Sequence, residues 1–131
     1  MKIKKIVVGI LASFMLVGFS NAYKDGTYKG VYQDDEDKDH MDVTIKIEDG
    51  QIVECVMNEY DAKDQIKDET YGDDLDGARK ELAKIAYQGL IQYPDLLVET
   101  QNVKDIDVIS GATLSYKRFK EAVNDALKQA K

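Results

Sequence analysis

The sequence predicts an α+β fold, a single domain with helices packed on one side of an antiparallel sheet. An alternating apolar strand, the pair Asp49-Gly50 and a second strand together read as a β-hairpin. Two later segments repeat apolar residues at helical spacing. The chain has 131 residues, enough for one domain with a modest core.

The segment Met1 to Ala22 is expected to lie outside that fold. Lys2, Lys4 and Lys5 precede an apolar run from Ile6 to Phe19, and Ser20-Asn21-Ala22 closes it with small residues at the positions a signal peptidase inspects. A membrane-spanning helix needs about 20 apolar residues. This run is shorter, so cleavage after Ala22 and export are expected, to the periplasm, the cell surface or the medium. No cysteine lies at the cleavage point to carry a lipid.

The remaining elements follow in order. Thr27 to Gln33 reads as a short strand with Tyr28 and Tyr32. Asp34 to His40 is rich in carboxylates, but it lacks the sixth-position glycine and twelfth-position glutamate of a calcium-binding helix-loop-helix site, so it reads as a solvated loop. Met41 to Ile47 alternates, with Met41, Val43, Ile45 and Ile47 on one face. Gln51 to Tyr60 returns. A three-residue loop, Glu48-Asp49-Gly50, would pair Ile45 with Val53, Val43 with Cys55 and Met41 with Met57, leaving one face wholly apolar. Cys55 then becomes a small core residue.

Asp61 to Asp73 reads as a polar connection. Leu75, Ala78, Leu82, Ile85, Ala86, Gly89 and Leu90 give helical spacing from Asp74 to about Gln92, and Pro94 ends the pattern. Asp95 to Gln101 is compatible with a helical turn or a short strand. Val103 to Ile109 alternates weakly as a last strand. From Ser115, Phe119, Ala122, Val123, Ala126 and Leu127 mark a C-terminal helix.

Composition excludes several chemistries. A formal charge of −7, more negative still once the leader's lysines are removed, argues against nucleic acid or anionic lipid as partners. A single cysteine allows no internal disulfide and no redox pair, and the single histidine, His40, reads as solvated. Histidine- or cysteine-based metal sites and histidine triads are therefore not expected.

The informative stretch is Asp107-Val108-Ile109-Ser110-Gly111-Ala112-Thr113-Leu114-Ser115-Tyr116. A strand runs into a turn of small residues and then a helix start. Free backbone N–H groups and the positive end of the helix dipole favour an anion there, phosphate in particular. On residue chemistry alone, Ser115 or Thr113 also suits the N-cap.

The run D-x-x-S-G-A-T resembles the signature of the FMN-binding domain family. That family includes peripheral flavoprotein subunits of the sodium-pumping NADH:quinone reductase and the Rnf complex, and small exported flavoproteins of extracellular electron transfer. Asp25-Gly26-Thr27-Tyr28-Lys29-Gly30, the hairpin Ile47 to Val53 and the run Val103 to Val123 also resemble its small members.

The resemblance implies that Thr113 accepts FMN through a phosphoester, made from FAD by a separate flavin transferase with Mg²⁺. It implies that Asp107 serves recognition or phosphoryl transfer, and that Ser110, Gly111 and Ala112 form the turn around the phosphate. Ser115 keeps the cap and adds a second hydroxyl. Glu69-Thr70-Tyr71-Gly72 resembles a segment that lies along the flavin ring, with Tyr71 where some members have proline. The implied function is an exported redox carrier, rather than a stand-alone catalyst, exchanging electrons with membrane or surface redox proteins. A module binding flavin or another phosphorylated ligand without a covalent bond, and a structural surface domain without cofactor, are the alternatives.

Overall fold

The computed structural model describes Val7–Ile10 and residues 23–131. The expected signal peptide therefore lies outside the described residues, apart from Val7–Ile10. Among the described residues one antiparallel sheet has four strands in the order β1-β4-β3-β2. They are β1 (Val7–Ile10), β2 (Gly26–Gln33), β3 (His40–Glu48) and β4 (Gln51–Tyr60). Three helices follow: α1 (Gly77–Leu90), α2 (Tyr93–Thr100) and α3 (Thr113–Lys128). The core lies between the sheet and the helices, α3 packing on β2 and β3, and α2 on β1 and β4. This is the α+β architecture the sequence predicts.

The alternation of β3 dictates its faces. Met41, Val43, Ile45 and Ile47 are fully buried, together with Ile52, Cys55 and Met57 of β4. Cys55 is a core residue as expected, and burial, followed by the charges of Asp95 and Glu54, pushes its thiol up to about 12. The register differs from the expected one. Asp49 and Gly50 both have positive φ (52° and 74°), so the loop is a two-residue turn with Glu48 opposite Gln51 and Ile47 opposite Ile52. A β-bulge between the Lys46 and Ile47 pairings then shifts the ladder, giving Ile45–Cys55, Val43–Met57 and Met41–Glu59 pairs. The extra residue restores apolar-to-apolar facing that an unbroken two-residue hairpin would lose.

Asp25 ties the chain ahead of β2 to this turn. Its carboxylate accepts from the amides of Asp49 (3.0 Å) and Gly50 (2.9 Å). The Gly50 amide, then that of Asp49, holds the carboxyl below its usual value. A depressed native value stabilises the fold above the ordinary aspartate pKa of about 3.9 and loses that contribution as pH falls through the native value. The stability difference between the wild type and Asp25→Ala, followed by urea titration, is expected to shrink on acidification below about pH 4.

The helical alternative holds for Asp95 to Gln101, which lies in α2 and its C-cap rather than in a strand, and one further expectation is corrected. The helix ends at Gln101, whose left-handed backbone (φ 64°) turns its side chain onto β4. There the amide group accepts from Ile52 N (2.8 Å) and donates to Ile52 O (2.8 Å), satisfying the strand's backbone in place of a neighbouring strand. Val103 to Ile109 is not a strand either. Val103–Asp105 is a 3-10 turn capped by the Asn102 side chain, which accepts from Lys104 N. Val103 and Ile106 are buried and the residues between them exposed, a spacing of three that mimics weak alternation.

Candidate functional site

The stretch Ile109 to Thr113 forms a tight turn leading into α3. Ala112 N donates to Ile109 O (2.9 Å), closing the turn over Ser110 and Gly111. Gly111 takes φ +86°, which suits glycine, and a Cβ there would stand 2.5 Å from Ile85 Cγ2 of α1. One turn along α1, a Cβ on Gly89 would stand 2.6 Å from the Ala112 Cβ. The small residues of the turn thus let it lie directly against α1.

From the core side, Tyr93 holds the turn. Its hydroxyl donates to Ala112 O (2.9 Å) and accepts from Ile109 N (3.1 Å), while its ring packs on Phe119 and Tyr116. Tyr93→Phe keeps the packing but leaves the Ile109 amide unpaired and removes one of the two donors to Ala112 O, Tyr116 N (3.1 Å) remaining, which is expected to cost about 1–3 kcal/mol. Hydrogen exchange at the Ile109 amide should accelerate more than at β3 amides.

Helix α3 begins at Thr113, with Ala112 in the N-cap position and no side-chain cap. The capping role expected of Ser115 is therefore not found. The Ile109–Ala112 turn starts the helix two residues earlier, so Ser115 sits inside the first turn and is buried. Thr113 is exposed and also makes no side-chain cap, so the first amides of the helix are left without one.

In front of Thr113 lies a groove of about 400 Å³, lined by the turn, the start of α3, Tyr71, Ala86 and a cluster of charged side chains. Arg118 reaches it because position 118 continues the buried face of α3 that includes Ser115, Phe119 and Ala122. Its guanidinium donates to Glu59 Oε2 through Nη1 (2.8 Å) and pairs with Asp37 through Nη2. Lys67 Nζ donates to the same Glu59 oxygen (2.8 Å) and to Asp39 Oδ2 (2.6 Å), and lies 5.2 Å from the Tyr71 ring centroid. Burial works against both cations. Glu59 and Asp39 more than offset it for Lys67, as do Glu59 and Asp37 for Arg118, so both titrate above their ordinary values. Arg118 Nε and Glu59 Oε1 are buried without a hydrogen-bond partner.

The acidic loop is thus not simply solvated. Asp34 is buried, and its carboxyl is held below the usual range, chiefly by the Glu36 amide, with Lys117 and Arg118 assisting. His40 is also less solvated than expected. Its ring stacks on Tyr60, and Nε2 lies 3.0 Å from Asp64 Oδ1.

The family model of the FMN-binding domain matches residues 36–128, which span this groove and most of the fold. The chain belongs to the FMN-binding domain family. FMN is accordingly its cofactor. The fold is also similar to the crystal structure of the CPE2226 protein from Clostridium perfringens, with TM-score 0.59, 29% identity, and coverage of 82% of this chain and 88% of that one. No curated protein matches the chain. The groove suits a phosphorylated flavin on its own terms: the guanidinium of Arg118 in its lining, an uncapped helix start and the exposed apolar side chain of Leu114.

In this FMN-binding domain the residues expected at the site are only partly gathered. Gly111, Ala112, Thr113, Ser115 and Tyr71 line the groove. Ser110 is exposed at the turn, and Asp107 is exposed on the approach to it. Glu69 and Thr70 are exposed outside the lining; the Glu69 carbonyl accepts from Lys84 Nζ (3.0 Å). Gly72 (φ +89°) packs under Ala83, where a Cβ would stand 2.5 Å from the Ala83 Cβ, so its part is structural. Lys67, Arg118 and Glu59 carry no motif in the sequence. A hint lies in Lys117-Arg118 within an otherwise amphipathic helix, where the phase set by Phe119 and Ala122 turns Arg118 inward.

Proposed function

We propose that this protein is an exported flavoprotein electron carrier in which FMN is esterified to Thr113. The observation that supports the reading is the exposed Thr113 hydroxyl, at an uncapped helix start and in a groove that also presents Arg118 and Lys67. In the attachment reaction Thr113 Oγ1 loses its proton and forms a P–O bond to the FMN phosphorus of FAD. The pyrophosphate bond breaks and AMP leaves. A flavin transferase with Mg²⁺ supplies the catalysis, because phosphoryl transfer depends on positioning and charge stabilisation, which that enzyme provides.

Once attached, FMN supplies one- and two-electron redox chemistry, and the protein supplies orientation and electrostatics. Gly111 and Ala112 leave the threonine hydroxyl reachable. Tyr71 offers an aromatic face beside Lys67, and Leu114 offers apolar surface for a flavin ring. Asp107, exposed ahead of the turn, is free to meet the transferase. Electrons then pass to and from redox proteins of the membrane or cell surface.

The test is an intact-mass measurement on the exported protein made alongside a flavin transferase. Expected are loss of residues 1–22, the edge strand β1 with them, and a mass increase of one FMN that survives denaturation. Thr113→Ala should abolish the increase and leave the circular dichroism spectrum unchanged. Flavin lost on denaturation, with an unmodified Thr113 peptide, overturns covalent attachment.

A further inference from the structure

The cations of the groove are already engaged by the loop that joins β2 to β3. Glu59, fully buried in β4, is the fixed partner shared by Arg118 and Lys67. Asp37 and Asp39 are different in kind. They belong to a surface loop, and their side chains remain 42% and 18% exposed. Asp37 grips Nη2 of Arg118, and Asp39 grips Nζ of Lys67 from the groove side.

The fit is incomplete. Arg118 Nε has no acceptor; the nearest carboxylate oxygen described, Asp34 Oδ2, lies 3.7 Å away, too far for a hydrogen bond. A guanidinium presents its donors in a rigid fork that suits the several oxygens of a phosphate. One further observation concerns charge. Arg118 and Lys67 face Glu59, Asp34, Asp37 and Asp39, so carboxylates outnumber the buried cations. A phosphate brought into the groove with both loop carboxylates in place would meet net repulsion.

We propose that Asp37 and Asp39 act as a displaceable anion, holding Arg118 and Lys67 until a ligand's phosphate takes those cations. The loop is built for such an exchange. It is closed by its own bonds, Asp34 N to Asp39 O (2.8 Å) and Lys38 N to Asp34 O (3.0 Å), so it can withdraw as a unit. Glu59 stays behind and keeps both cations paired from beneath. The proposal rests on reading the groove as the seat of a flavin nucleotide, and it assigns Arg118 and Lys67 as phosphate-positioning residues.

The test uses the mature protein carrying Thr113→Ala, so that binding is measured without attachment. FMN, riboflavin and inorganic phosphate are titrated against this protein and against one that also carries Asp37→Asn and Asp39→Asn. Removing the competing carboxylates is expected to tighten FMN by roughly tenfold or more, with riboflavin, which lacks the phosphate, unchanged. Equal FMN affinity in the two proteins overturns the proposal and leaves the flavin reading standing. Tighter phosphate binding without FMN binding sinks the flavin reading and keeps the anion exchange. No gain with either ligand overturns the exchange outright. Should the double substitution impair folding, the Arg118 Nε–H resonance of the Thr113→Ala protein serves instead. It should shift on addition of FMN, and a resonance that stays in place at saturation counts against the proposal.

Discussion

Replacing Arg118 by leucine is expected to destabilise the protein by about 3–5 kcal/mol, one of the largest single effects available in the fold. Arg118 is buried within α3, and Glu59, with a fully buried side chain in β4, depends on it and on Lys67. Leucine fills much of the arginine's aliphatic space, so the loss would come from charge rather than from a cavity. Glu59 would keep only Lys67 as a cationic partner, with its side chain fully buried. The diagnostic comparison is the paired substitution Arg118→Leu with Glu59→Leu. If the unpaired carboxylate causes the loss, the double variant should be more stable than Arg118→Leu alone in urea unfolding. Equal or greater loss in the double variant would place the cost in packing.

Gly30→Ala should be comparably severe, for a steric reason. Gly30 of β2 lies beneath α3, and a Cβ there would stand 2.0 Å from Ala122 O and 2.6 Å from Ala126 N. Those atoms are helix backbone and cannot rotate away. The helix must lift from the sheet, and overpacking of this kind costs about 3 kcal/mol or more. For a domain of this size the melting temperature should fall by roughly 10 °C or more. Gly77, where no atom lies within 4 Å of an added Cβ but φ is +58°, provides the contrast. Gly77→Ala should cost only the backbone strain, about 1 kcal/mol. Because α3 carries Thr113 at its first position and Arg118 on its buried face, lifting it should also slow flavin attachment. That effect should be absent in Gly77→Ala.

Strands β3 and β4 and the two long helices were legible because each has a period that matches one face of a core, whereas β2 was legible from Tyr28 and Tyr32, its one buried residue being Gly30. β3 is the clearest case: every second side chain from Met41 to Ile47 is buried. The bulge was not legible, because turn and facing preferences favour different registers and only their compromise satisfies both. The helical spacing of α1 was read correctly, yet Leu82 and Ile85 are 64% and 49% exposed. Periodicity finds an apolar stripe but not what covers it. Here the helix packs through Ala83, Tyr87, Gly89 and Leu90. At the site, the turn Ser110 to Thr113 was recognisable from contiguous residues. The charges around it come from positions 37, 39, 59, 67 and 118, brought together only by folding. An acidic loop reads as solvated wherever its cationic partner is distant in sequence.

The buried thiol of Cys55 gives this protein a built-in reporter. The chain contains no tryptophan, and a bound flavin would obscure the emission of its tyrosines. Cys55 lies at the centre of the sheet, paired with Ile45, and its pKa of about 12 leaves almost no thiolate at neutral pH. A thiol reagent should therefore react only with molecules whose sheet has opened. Labelling rates, read as one mass increment per chain, would follow the opening of the core directly, in flavin-loaded and flavin-free protein alike.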